Sequence, residues 1–134
     1  MAIEVKNKAE LDAAVASGRV LVDFWATWCA PCRMMGERIE SELEPAHPEI
    51  KVVKVNVDEA PELAAGFGVM SIPALFCFKD GAKAAEFVGV TDVAEIAAAF
   101  GVMSIPALFC FGDGAKAAEF VGVTDVAEIA AALA

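Results

Sequence analysis

The chain has 134 residues, the size of one ordinary domain. Hydrophobic residues make up 58% of it and charged residues 22%, which excludes an intrinsically disordered chain. The formal net charge of −10 argues against nucleic acid and against anionic membranes as partners, because both need a positive field. Charges also stand near the N-terminus where a secretory leader needs an apolar core. No apolar run approaches the ~18 residues of a spanning helix. A cytoplasmic protein is expected.

In chain order, Asn7 is followed three residues later by Glu10, a capping-box pattern. It predicts a helix with Leu11, Ala14 and Val15 on one face and Gly18 as its stop. Residues 20–25 (VLVDFW) form a short apolar run with β-branched and aromatic members, hence a buried strand. One charge, Asp23, lies inside it. Next comes Trp28-Cys29-Ala30-Pro31-Cys32-Arg33. Pro31 suits the first turn of a helix, where its missing N–H costs nothing. Met34, Met35, Ile39 and Leu43 carry that helix onward until Pro45 and Pro48 end it, with His47 expected in a solvated loop between them. Residues 51–57 (KVVKVNV) read as a second strand. Asp58 and Pro61 open a helix that ends near Gly66. Residues 74–78 are a strand, Asp80-Gly81 a tight hairpin signal, and residues 84–88 the returning strand. Asp92 and Glu95 make a second capping pattern before an Ala-rich helix.

Residues 67–99 then recur at 100–132, at an offset of 33, with one difference: Lys79 against Gly112. A solenoid would repeat throughout the chain, and here the first 66 residues take no part. The order is therefore β-α-β-α-β-α-(β-β-α)-(β-β-α), an α/β architecture. It implies a domain over 1–99 and a duplicated unit over 100–134. Pro106 and Gly122 are the twins of Pro73 and Gly89, but the second copy holds no Cys-x-x-Cys. Without one copy about 101 residues remain, still enough for a single core, and the spare copy, whichever it is, carries a strand whose apolar face needs cover. A homodimer through the duplicated unit, swapped or unswapped, is the expected remedy.

The four cysteines are Cys29, Cys32, Cys77 and Cys110, the last two being one residue in two copies. Three parental cysteines do not fit a disulfide framework. A Cys-x-x-Cys pair at a helix start serves either redox chemistry or metal binding. Zinc needs about four ligands, and the chain offers only His47 and no second pair, so no metal is expected. Redox chemistry has a positive reason. The thiolate is the nucleophile, and the unpaired N–H groups and dipole of a helix N-terminus stabilise its charge. Cys29 is placed to gain this, and Cys32, one turn on, to attack the mixed disulfide that Cys29 forms. Asp23 would be costly in a buried strand unless paired, and burial raises a carboxylate's pKa towards the range of a useful base. Lys54 is its candidate partner; a purely structural Asp–Lys pair is the other reading.

Trp28-Cys29-Ala30-Pro31-Cys32-Arg33 resembles the active-site motif of the thioredoxin family, and the likeness extends over residues 1–99. Val22-Asp23-Phe24-Trp25-Ala26 looks like the strand entering that site, and Lys54-Val55-Asn56-Val57-Asp58 like the central strand. Ile72-Pro73 with Phe78-Lys79-Asp80-Gly81 resembles the cis-proline segment, and Val88-Gly89 a glycine bordering the substrate groove. The resemblance implies a thioredoxin fold, a central mixed sheet with helices on both faces. It implies a protein-disulfide reductase in which Cys29 attacks, Cys32 resolves, and Asp23, with Lys54 near it, takes the Cys32 proton through water. Substrate would lie along Trp28, Ala30, Pro31, Ile72, Pro73 and Gly89, with Pro73 cis. No bound cofactor is implied. The redox-active disulfide would be reduced by NADPH through thioredoxin reductase, and disulfide-containing proteins would be the substrates. Trp25 reads as packing, and Met34 and Met35 as either an apolar docking border or helix core.

Three residues depart from the family pattern. Ala30 replaces a glycine, Arg33 a lysine, and Glu37 a proline that kinks the helix, so a straighter helix is expected. The alternative class is an assembly protein whose duplicated unit blocks the groove and leaves the dithiol idle.

Overall fold

The structure is a computed structural model that describes residues 2–102 and, as backbone, the strands Ala107–Gly112 and Ala115–Val121. Five strands form the main sheet: β1 (Ile3–Glu4), β2 (Arg19–Trp25), β3 (Ile50–Asn56), β4 (Ala74–Lys79) and β5 (Ala82–Val88). Their spatial order is β1-β3-β2-β4-β5. The β1–β3 and β2–β3 pairs are parallel, and β4 runs antiparallel to both β2 and β5, so the sheet is mixed as expected. β2 is central and almost wholly buried because helices cover both faces, which is why its sequence is a continuous apolar run.

The helices are α1 (Lys8–Val15), α2 (Ala30–Arg38), α3 (Glu44–Ala46), α4 (Pro61–Gly66) and α5 (Val93–Ala99). Among the described residues no helix is long and apolar enough to cross a membrane. The Asn7 cap forms as read, its Oδ1 accepting from the Glu10 N–H at 2.9 Å. The return half is displaced by one residue: the Glu10 carboxylate accepts from the Lys6 N–H instead of that of Asn7. α4 starts from Ala60, which has no side-chain cap, and not from Asp58.

Among the described residues three apolar clusters make up the core, two of them large. One joins Phe24, Phe76 and Phe78 to Phe67, with ring centroids 5.1 to 6.2 Å apart. The other sets Leu21, Leu75 and Cys77 of the sheet against Met35, Ile39, Leu43, Ile96 and Phe100. Each such side chain, fully buried, contributes about 1.5–3 kcal/mol of transfer free energy.

Two expectations are corrected. The helix after Cys32 is not a straighter α-helix: residues Ile39–Leu43 are π-helical between α2 and α3. Ile39 and Leu43, four residues apart and so on one helix face, both reach the core, at 3% and 0% exposure. His47 is not solvated either. It is buried, with Nδ1 3.2 Å from Glu49 Oε1, because the chain turns back there to enter β3. This contact also holds the exposed Glu49 carboxyl below its usual pKa, after the larger effect of its own backbone N–H.

In the repeated segment, β6 (Ala107–Gly112) and β7 (Ala115–Val121) pair as a separate two-stranded sheet. Their register copies that of β4 and β5: Ala107 faces Val121 as Ala74 faces Val88, and both pairs shift register after the cysteine. Pro106, Gly122 and the expected helix after β7 lie outside the described residues.

Candidate active site

Three segments meet at one end of the sheet. β2 delivers the chain to Ala26, and Cys29 then stands as the N-cap of α2 in extended conformation. Its sulfur accepts the Cys32 N–H at 3.2 Å, while its own N–H donates to the Ala26 carbonyl at 3.2 Å. Pro31 occupies the first turn, where its lack of a donor leaves nothing unsatisfied. Cys29 and Cys32 are disulfide-bonded, with Cα atoms 5.2 Å apart. Both are buried on a bed of Ala26, Trp25, Val57 and Ile72. Ala30 and Pro31 lie exposed beside them.

The loop before β4 supplies the second wall. The Ile72–Pro73 peptide is cis, as the resemblance implied. The Ile72 carbonyl oxygen lies 3.9 Å from the Cys29 sulfur. The Gly89 N–H donates to the Pro73 carbonyl at 2.8 Å, which holds Gly89, just past the end of β5, against the cis-proline turn. Gly89 has φ +89°, a conformation natural to glycine. Trp28 is 67% exposed, and its Nε1 donates to Asp58 Oδ2 at 2.8 Å.

Beneath α2 the sheet carries the charged pair. Asp23 and Lys54 face each other in the β2–β3 register, and both line a cavity of 240 Å³ with Gly36 and Val52. Asp23 is 1% exposed, and its Oδ1 has no hydrogen-bond partner. Burial pushes its carboxyl up to about 7, against a smaller opposing pull from Lys54. The two do not close an ion pair. Lys54 Nζ instead sits 4.0 Å above the Trp25 ring, a cation–π contact. Trp25 is thus partly buried packing, as read.

Cys77 lies apart, buried in β4 with its thiol pushed up to about 12 by desolvation, so it stays protonated and inert. The methionines separate: Met34 is exposed beside the site, and Met35 is core. The sulfur of Met35 also accepts the Thr91 N–H at 3.3 Å, tying α2 to the chain just past Gly89. Sequence reasoning missed this link and the Trp28–Asp58 bond. Asp58 carries a signal, an acid two residues beyond β3, but the same pattern reads as a helix opener.

A dithiol–disulfide pair at a helix N-terminus, facing a cis-proline turn and backed by a buried carboxylate, defines a thiol–disulfide oxidoreductase. The comparisons agree. The thioredoxin family model matches residues 2–100, and the chain belongs to the thioredoxin family. Thioredoxin of Staphylococcus aureus is 45% identical over 89 residues, covering 66% of this chain and 86% of that protein. Among solved structures, mitochondrial thioredoxin 3 of Saccharomyces cerevisiae in its oxidised form superposes with a TM-score of 0.67 at 28% identity, covering 74% of this chain and 92% of that one. A mutant thioredoxin from Halobacterium salinarum gives 0.65 at 34% identity, covering 71% and 83%. The chain is an oxidoreductase acting on protein disulfides through the redox-active pair Cys29–Cys32.

Proposed function

We infer that the chain works as a reductase, with its residues in defined roles. The observation that carries this is the Cys29 sulfur at the N-cap of α2, accepting the Cys32 N–H, with Asp23 buried below. In the reduced protein that N–H and the helix dipole stabilise a Cys29 thiolate. The thiolate attacks one sulfur of a substrate disulfide; a mixed disulfide forms and the first substrate thiolate leaves. Cys32 then attacks the Cys29 sulfur, expelling the second substrate thiolate and closing the Cys29–Cys32 bond. Two electrons pass to the substrate, and the protein ends in the state seen here.

Asp23 accepts the Cys32 proton through water. Its pKa of about 7 suits that task near neutral pH, and Lys54 keeps the carboxyl from rising further. An extended substrate segment lies along Trp28, Ala30, Pro31, Ile72, Pro73 and Gly89, pairing with backbone groups of the cis-proline turn. The exposed indole of Trp28, held by Asp58, forms its apolar edge. Electrons to regenerate the dithiol come from NADPH through thioredoxin reductase. A cytoplasmic location accords with this, since a dithiol donor needs a compartment that keeps thiols reduced.

In the same reading, residues 1–99 form the catalytic domain and 100–134 a tandem duplicate of its last β-β-α unit. The 33-residue offset and the shared hairpin register support this. The duplicate unit pairs two chains into a homodimer, supported by the marginal stability of a lone two-stranded sheet.

Reduction of insulin disulfides, coupled to NADPH and thioredoxin reductase, tests the function. The wild type is expected to turn over. Cys29→Ser abolishes turnover, and Cys32→Ser traps a mixed disulfide. A wild-type protein with both thiols free and no turnover would refute the proposal.

A further inference from the structure

The repeat leaves a question that catalysis does not absorb: whether the fold has one way to complete its core or two. The two exits that lead into the copies are built alike. α4 ends at Phe67, where Gly68 takes φ +69°, its N–H bonds the Ala65 carbonyl at 3.1 Å, and the Val69 N–H bonds the Ala64 carbonyl at 2.9 Å. α5 ends at Phe100, where Gly101 takes φ +70°, its N–H bonds the Ala98 carbonyl at 3.0 Å, and the Val102 N–H bonds the Ala97 carbonyl at 3.1 Å. The buried positions also match at the offset, Leu63 and Ala64 in α4 against Ile96 and Ala97 in α5. Each exit leads to a hairpin of the same register and the same irregularity after its cysteine.

We propose that the chain has two folded registers, in which either β4–β5 or β6–β7 of the same molecule completes the sheet against β2. In the second register α5 takes the place of α4, Phe100 that of Phe67, and residues 107–112 that of β4. Pro106 and Gly122 then stand where Pro73 and Gly89 stand now, so the groove is rebuilt from identical residues. The displaced segment becomes a longer connection after β3, and closing a longer loop costs only logarithmically in its length.

Small opposing biases separate the registers. In the observed one, Arg19 faces Lys79 across the β2–β4 pair; in the other it faces Gly112, removing two like charges from adjacent positions. Against this, the sequence offers only Leu133, a smaller side chain, at the offset of the fully buried Phe100.

The test places a carboxylate in the core of one copy at a time. Phe76 is 5% exposed and packs 5.4 Å from Phe24 and 5.1 Å from Phe67, so Phe76→Asp blocks the observed register. Unfolding in urea is followed by the fluorescence of Trp25 and Trp28, a readout independent of turnover. Phe76→Asp and Phe109→Asp are each expected to keep a single cooperative transition, and the double variant to lose it. If Phe76→Asp loses its transition like the double variant, the second register does not exist. If its midpoint rises with protein concentration more steeply than that of the wild type, a second chain supplies the strand, and the intramolecular form is overturned.

Discussion

In the proposed mechanism Asp23 sets stability against chemistry. A carboxylate 1% exposed, without a hydrogen bond to Oδ1, is held near neutrality of charge by the protein around it. Its pKa rises from 3.8 to about 7, so the folded state prefers the protonated form. The contribution to stability is therefore fully present below about pH 4 and lost as pH rises through about 7. By pH 8 the loss is on the order of 4 kcal/mol. Asp23→Asn escapes it. The variant should match wild type in urea unfolding at pH 4 and exceed it by several kcal/mol at pH 8, while its resolution of the mixed disulfide slows. An equal stability difference at both pH values would show that Asp23 is not the titrating group. At this scale the sequence was legible where a residue contradicted its surroundings: a charge in an apolar strand, or two cysteines at a helix start. It was silent on Trp28–Asp58 and Met35–Thr91. Those bonds join residues 30 and 56 positions apart, and no local pattern encodes them.

Elements follow local rules until packing overrides them. The Asn7 cap, the Pro31 helix start and the Asp80-Gly81 turn all form where the sequence signals them. Both turn residues have positive φ, 48° and 86°, the geometry that suits a tight hairpin. The turn is also tied down, with the Asp80 carboxylate accepting the Gly18 N–H at 2.8 Å and the Asp80 N–H donating to the Gly18 carbonyl at 2.9 Å. Gly81→Ala would force a Cβ into the left-handed region and to 3.4 Å from the Ala16 carbonyl oxygen. A loss of about 1–2 kcal/mol is expected from urea unfolding, with turnover unchanged because the site lies at the other end of β4. The π-helical turn at Ile39–Leu43 had no such signal. Glu37 in place of the family proline predicts a straighter helix. The helix instead widens over Ile39–Leu43, and both of these residues pack in the core.

At the scale of the molecule, the sequence repeat at 100–132 is the feature to measure. A sheet of two strands is marginal in water, and β6 and β7 form one. Light scattering is expected to give twice 14.0 kDa, falling to 14.0 kDa on dilution. A monomer at high concentration would remove the dimer and leave the two registers untouched. The registers need little energy to compete. Moving from 74 to 107 as the start of the strand beside β2 roughly triples the connection from β3, and tripling a loop costs about 1 kcal/mol.

The sequence by itself determined the chemistry and the order of elements. Strand and helix periods, caps and the Cys-x-x-Cys spacing are local, so a linear reading recovers them. The tertiary structure decided which distant residues share a surface. It put Ile72 beside Cys29 and Gly89 against Pro73, turned Lys54 onto Trp25 instead of into an ion pair with Asp23, and buried His47. These outcomes depend on how two sheet faces and their helices divide a limited volume, and that competition among side chains far apart in sequence is settled only when the chain packs.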